Sequence, residues 1–323
     1  MSAAVQAVVF AQAGQLDFRP VTLRAPAADE VVVDIRYSSI SAGTERLLFD
    51  GRLPPIPHLR YPLIPGYEAA GVVLHVGADV ADVRPGDEVF VGGSMCFTDV
   101  AAAFGGQASR LIKKAAQVVP LHGIPLAHAP LLALAATSLH GVRRLGELGG
   151  RRVAVVGMGA IGQFAARFVA ALEPAALYEV DSNPARLGHI PGAIRVDASQ
   201  TTLAAAAGAP LDCVIEATGK SEMIAACAKA LRLGGSIGLL SFYDTLTTPY
   251  VDLFTKEVTL LVAREWSHPD LLAARDLIAD GRVAVADLAR SAFPIANYAA
   301  AYKTAFEDPA TLKVILDWRA ENY

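Results

Sequence analysis

The chain has 323 residues and a mass of 33.8 kDa, enough for two moderate domains that bury roughly three quarters of the unfolded surface without covalent staples. Its 53% hydrophobic and 19% charged residues exclude a disordered chain, and a net charge of −4 with no basic stripe argues against nucleic acid as a partner. Cys96, Cys213 and Cys227 cannot form a fully paired disulfide framework and none lies at C-x-x-C spacing, so a reduced, cytoplasmic setting is expected.

The opening MSAAVQAVVFAQAG has no positive start and no long apolar run, so it reads as a first strand rather than a signal peptide. Short β-branched runs at residues 5–10, 31–37, 71–76 and 88–91 follow, separated by clusters of Pro, Gly and Asp. The segment RLPPIPHLRYPLIPG (52–66) carries five prolines and predicts an ordered loop, not a helix or central strand. Residues 1–125 thus form a β-rich module. From 126 to 282, apolar strands at 152–156, 176–180, 213–217, 236–241 and 258–263 alternate with Ala-rich helices such as 162–172 and 221–231. That alternation predicts a doubly wound α/β domain with a parallel sheet. Residues 283–323 end in an apolar strand at 313–317 and are too few for a domain, so they are expected to return to the first module. The most apolar stretches are broken by His, Pro, Arg or Glu before about 18 residues, so no membrane span is predicted.

The sharpest local motif is RRVAVVGMGAIGQFAARF. A buried strand enters Gly157-x-Gly159-x-x-Gly162 and a helix leaves it. Gly157 permits the tight turn, Gly159 lets backbone approach a pyrophosphate, and Gly162 lets helix pack on strand. The helix start at Ala160 and Ile161 offers unpaired N–H groups to the anion. Asp181 closes the second strand, 19 positions after Gly162. A carboxylate there accepts from the adenosine ribose hydroxyls and repels a 2′-phosphate, which predicts NAD. Asp181 as a helix cap ahead of SNPARL is the competing role, and Arg186 nearby is a group that would host a phosphate. Ser138 and His140, on the helix before the turn, are further candidates for cofactor contact.

The β-rich module, dinucleotide domain and return strand, with SISAGTE (39–45), PGYEAAGVV (65–73), RPGDEVF (84–90), FGGQASRL (104–111) and the glycine turn, resemble the medium-chain dehydrogenase/reductase superfamily. The resemblance implies a Rossmann domain beside a GroES-like catalytic domain completed by the tail. In zinc-dependent relatives the ligand positions hold Cys, His and a third donor. Here they are Ala42, Tyr67 and Leu134, and only Cys96 lies where relatives carry four structural cysteines. Ala and Leu cannot ligate a metal and Tyr is a poor zinc ligand, so a zinc-free member is expected.

GTERLLFDGRLPPIP, YPLIPGYE, CFTDV, SFYDTLT, AREW and DPATLKVILDW together resemble the 3-hydroxyethyl bacteriochlorophyllide a dehydrogenase branch. That implies NAD-dependent oxidation of a ring 3-(1-hydroxyethyl) group to 3-acetyl on a tetrapyrrole. Without zinc, hydrogen bonds and a proton relay must manage the alcohol. The resemblance makes Thr44 the first relay group and Tyr67 the residue that polarises the carbinol oxygen, with Glu68 as its neighbour's acceptor or the eventual base. A flat apolar substrate needs an apolar cleft, with Phe49, Leu53, Ile56, Phe97, Phe104 and Phe242 as candidate lining. Arg46, Arg52 and Arg60 are candidate partners for the pigment's propionate, and His58 for its magnesium. Cys96 is expected to be a buried structural thiol. Two other readings stay open: a zinc-free NADPH quinone or enone reductase, and a redox-inactive dinucleotide-binding scaffold. Relatives pair through the dinucleotide domain, so a homo-oligomer is an expectation.

Overall fold

A computed structural model describes residues 3–54 and 59–319. Its contacts divide into two compact units, one running up to Ala133 and resuming at Val285, the other spanning Leu134–Ala284.

The first unit opens with β1 (Ala3–Gln12) and β2 (Gln15–Leu23), an antiparallel hairpin turning at Gly14. Next come β3 (Glu30–Ile40), α1 (Thr44–Phe49), β4 (Leu63–Ile64), β5 (Ala69–Val76), β6 (Glu88–Val91), β7 (Ala101–Ala102), β8 (Arg110–Lys114) and β9 (Val118–Pro120). One sheet has the order β2-β1-β4-β7. β2 carries Pro20, which its place at the sheet edge tolerates. The proline-rich segment was expected to be all loop, yet β4 lies in the middle of this sheet, with Leu63 opposite both Phe10 and Ala101. Pro62 and Pro65 flank the two residues and leave their N–H groups free for pairing.

The second unit begins within α2 (Leu132–Arg144). It continues through β10 (Arg152–Val156), α3 (Ala160–Ala170), β11 (Ala176–Asp181), β12 (Ile194–Asp197), α4 (Leu203–Ala207), β13 (Leu211–Glu216), α5 (Ser221–Ala230), β14 (Leu231–Leu239), α6 (Tyr250–Phe254), β15 (Thr259–Val262) and α7 (His268–Ala279). The sheet order is β12-β11-β10-β13-β14-β15, all parallel, so the chain reverses direction across the sheet between β10 and β13. The loop after β10 therefore opens at a topological switch point, where open α/β sheets take ligands. β10 is buried on both faces, as a central parallel strand requires. The fold is thus α/β, a Rossmann-like sheet plus a β-rich domain.

The return segment supplies β16 (Ser291–Pro294), α8 (Tyr298–Glu307) and β17 (Val314–Asp317). β17 pairs antiparallel with the end of β3, Val314 opposite Ile40 and Asp317 opposite Tyr37, within the sheet β16-β17-β3-β5-β6-β9. Tyr302 and Trp318 join Phe10, Leu48 and Leu316 in the core of the first unit. No helix among the described residues is long and apolar enough to cross a membrane.

Candidate functional site

In the first unit, β3 delivers Ser38 and Ser39, Ser41 follows its last residue, and α1 starts at Thr44. Gly43 provides no side-chain cap; instead Glu45 reaches back, its Oε1 accepting from Ser41 N at 2.9 Å. From the neighbouring PGYE turn, Tyr67 Oη lies 2.7 Å from Ser41 Oγ and 3.3 Å from Thr44 Oγ1. The structure thus brings Thr44 and Tyr67 together and adds Ser41, which no motif singles out. Burial, then the nearby Glu68 charge, push the Tyr67 phenol above its ordinary range, so it stays protonated. Its ring lies edge-on to Phe104, with centroids 5.2 Å apart.

Glu68 sits behind this cluster, fully buried. Its Oε2 is 2.5 Å from Lys313 Nζ, whose side chain is 3% exposed, and it also accepts from Ser39 Oγ. Its Oε1 is buried with no hydrogen-bond partner among the described residues. Glu68 is thus half of a buried ion pair that ties the PGYE turn to the return segment. Glu45 is also fully buried; Tyr302 Oη donates to its Oε2 at 2.5 Å, and burial pushes its carboxyl up to about 7. Gln107 bridges the assembly: its Nε2 donates to Ser39 O (3.0 Å) and its Oε1 accepts from Ser38 Oγ (2.6 Å), which accepts from Trp318 Nε1 (2.8 Å).

The predicted substrate residues divide. Arg46 donates to the Phe306 carbonyl and lies 3.7 Å from Asp50, so its charge serves the join to α8. Phe49 packs in the core against Phe10 (5.4 Å) and Phe306 (5.7 Å), and Leu53 packs on the same core. Neither is open lining. Phe97 lines a surface cavity, and Phe242 is 53% exposed on the second unit. His58 and Ile56 lie outside the described residues. Cys96 is buried, its Sγ 3.5 Å from Ile112 N, and burial pushes its thiol up.

In the second unit the glycine turn has the geometry of an anion cradle. Gly157 holds φ +90°, and a Cβ there would meet Thr218 Cγ2 at 2.7 Å. A Cβ on Gly162 would fall 1.9 Å from Gly157 O, whereas one on Gly159 would meet nothing within 4 Å. Gly162 is therefore demanded by packing and Gly159 leaves a space. The N-terminus of α3 has no side-chain cap, so the amides at Ala160 and Ile161 remain available to an anion. Asp181 Oδ2 accepts from Met158 N at 2.7 Å and Oδ1 from Asn183 N at 2.8 Å, tying the second strand to the turn. The cap of the following 3-10 turn is Asn183, not Asp181. Arg186 Nη1 is 3.9 Å from Asp181 Oδ2. Ser138 is fully buried and donates to Ile161 O at 3.1 Å, which makes it a support behind the cradle rather than a nucleotide contact. His140 Nδ1 lies 2.9 Å from Asp270, which Arg143 also engages at 2.9 Å, fixing α2 to α7. These residues fit a dinucleotide.

Residues 27–123 match the family model of the alcohol dehydrogenase GroES-like domain. The 2-desacetyl-2-hydroxyethyl bacteriochlorophyllide A dehydrogenase of Cereibacter sphaeroides is 37% identical, across 97% of this chain and 98% of its own length. The enzyme of the same name from Rhodobacter capsulatus is 38% identical across 91% of this chain and 92% of its own. The chain belongs to the medium-chain dehydrogenase/reductase superfamily. A solved structure, an oxidoreductase/dehydrogenase of unknown specificity from Escherichia coli, shares the fold with a TM-score of 0.88 at 17% identity, covering 98% of this chain and 99% of its own. As a medium-chain dehydrogenase the chain is an oxidoreductase acting on CH–OH groups. The positions that the resemblance assigns to zinc ligands carry no customary zinc ligand. Ala42 offers a methyl group, the Tyr67 phenol is protonated and bonded to Ser41, and Leu134 is a buried hydrocarbon. Among the described residues no group of three His, Cys, Asp or Glu is placed to hold a metal ion.

Proposed function

We propose that this chain oxidises the 3-(1-hydroxyethyl) group of a bacteriochlorophyllide to 3-acetyl with NAD and without zinc. The observation that carries the reading is the identity of 37% across nearly the full length of a relative named for that dehydrogenation. The cradle at Gly157, Gly159, Ala160, Ile161 and Gly162 supports a dinucleotide, and the carboxylate of Asp181 beside it favours NAD over NADP. Bound NAD would supply the two-electron acceptor.

The chain's own residues then have to manage the hydroxyl proton. Ser41, Thr44 and Tyr67 each carry a group that both donates and accepts, so the cluster can pass a proton in either direction by rotating its O–H bonds. Tyr67 stays protonated and can donate to the oxygen as it becomes a carbonyl, while Thr44 accepts the carbinol proton and in the same step gives up its own hydroxyl proton to solvent water, the hydride having left to the bound NAD. Glu68 and Lys313 form a fixed ion pair behind the phenol and hold its turn in place. The product ketone gains conjugation with the macrocycle, which lowers the demand for a Lewis acid.

The same reading carries a homo-oligomer. β15 is an open sheet edge, its last residue Val262 is 64% exposed, and Tyr250, Val251 and Phe254 in the segment before it are exposed as well. Three buried free cysteines support a reducing, cytoplasmic setting. Incubation of the purified protein with a 3-hydroxyethyl bacteriochlorophyllide and NAD, following the long-wavelength pigment band, tests the reaction. A band shift with stoichiometric NADH is expected; an unchanged spectrum with either NAD or NADP would overturn it.

A further inference from the structure

Among the loop arginines that are candidates for a substrate carboxylate, the structure separates Arg46 from Arg60. Arg46 is spent on Phe306 and Asp50. Arg60 instead stands exposed on the wall of a cavity of about 280 Å³, with no ion-pair partner among the described residues. The other walls are Met95, Phe97, Val100, Ala101 and Ala102, all apolar. Met95 is 73% exposed at its rim, and its flexible thioether side chain can adapt to an apolar ring.

This cavity connects to the hydroxyl cluster through packed atoms. Ala101 and Ala102 are β7, two residues before Phe104, whose ring meets Tyr67 edge-on. Phe97 Cε2 lies 3.2 Å from where a Cβ on Gly105 would stand. Phe104 itself is held at φ +76°, a left-handed conformation that a bulky side chain adopts only when its surroundings impose it. Two strand residues and one constrained ring therefore separate the cavity from Tyr67.

We infer that this cavity is a carboxylate-reading subsite. It takes the propionate-bearing ring edge of the tetrapyrrole, with Arg60 on the carboxylate and Phe97, Val100 and the β7 alanines against the ring. Its volume suits one ring edge and a short acid chain; a complete drug-sized ligand needs about 300–1,000 Å³. A planar guanidinium matches a carboxylate through two parallel N–H bonds. The inference rests on the tetrapyrrole reading above and adds that Arg60 is the group that reads the free carboxylate.

Equilibrium titration of the full chain with the free acid of 3-hydroxyethyl bacteriochlorophyllide and with its propionate methyl ester, read by pigment absorption, tests it. The wild-type chain should bind the acid about tenfold more tightly than the ester. R60Q should bind the two alike, at the affinity the wild-type chain shows for the ester. Equal affinities in the wild-type chain, no pigment binding at all, or an acid preference that survives in R60Q would overturn the subsite. Turnover with NAD is scored separately: pigment bound through Arg60 but never oxidised sinks the proposed reaction and leaves the subsite standing.

Discussion

Lys313 and Glu68, 245 positions apart in the chain, meet at 2.5 Å with both side chains almost wholly excluded from solvent. The return strand thereby neutralises a carboxylate that the PGYE turn must bury next to Tyr67. Losing one partner leaves the other charge uncompensated in a low-dielectric site. Lys313→Met should destabilise the first unit by about 3–5 kcal/mol in urea unfolding, while the double change with Glu68→Leu recovers much of the loss. Additive losses in the double variant would show that the pairing carries no coupling.

Glu45 makes stability depend on pH. Its folded-state value of about 7 lies above the 4.5 of an unfolded glutamate, so the native chain binds the extra proton. The stabilisation is complete below pH 4.5 and is lost as pH rises through 7. In Glu45→Gln the fall between pH 4.5 and 7 should flatten, and the variant should overtake the wild-type chain in alkaline buffer. Denaturation midpoints measured across pH 4–8 decide this; parallel curves would remove Glu45 as the source.

Replacing Tyr67 with Phe removes one hydroxyl from the cluster and leaves its contact with Phe104. Turnover should drop by about a hundredfold, the usual scale of a positioned proton donor, with nucleotide Kd unchanged. Thr44→Val should do the same. Full activity in both variants would mean that the proton leaves by another route.

Gly159 and Gly162 should respond differently to the same methyl group. Gly162→Ala places a Cβ 1.9 Å from Gly157 O and should lower the melting temperature. Gly159→Ala meets open space, so the fold should survive, yet calorimetry should show nucleotide affinity reduced by about tenfold or more.

Asp181→Asn keeps an acceptor for the Met158 amide but removes the charge, and with it the hold on Arg186 at 3.9 Å. The ratio of kcat/KM for NAD over NADP should fall by roughly tenfold or more. An unaltered ratio would falsify the assignment of Asp181 as the ribose acceptor.

What the sequence made legible was local. The apolar run at 152–156, three glycines and the helix after them lie within about 20 residues, and the structure places strand, turn and helix there. Thr44 and Tyr67 could be named because short motifs carry them. Ser41 could not, because its role depends on where the PGYE turn places Tyr67; Glu45, Tyr302 and Lys313 could not, because their roles arise only when α8 and the segment of β17 pack back onto β3. A lone lysine before an apolar strand announces nothing about a carboxylate two hundred positions earlier. Nor could composition reveal that Phe49 is core while Phe97 faces a cavity. The five prolines concealed β4 for the opposite reason: they punctuate both sides of a strand too short to show a period.

Because β17 and α8 complete the sheet and the buried acids of the first unit, that unit cannot finish forming until the residues after Val285 have been translated. The continuous stretch Leu134–Ala284 can close on itself before then, whereas Glu45 and Glu68 must wait for Tyr302 and Lys313. A chain cut short at Ala284 would therefore keep the strand, turn and helix of the nucleotide cradle but leave two buried carboxylates without their partners.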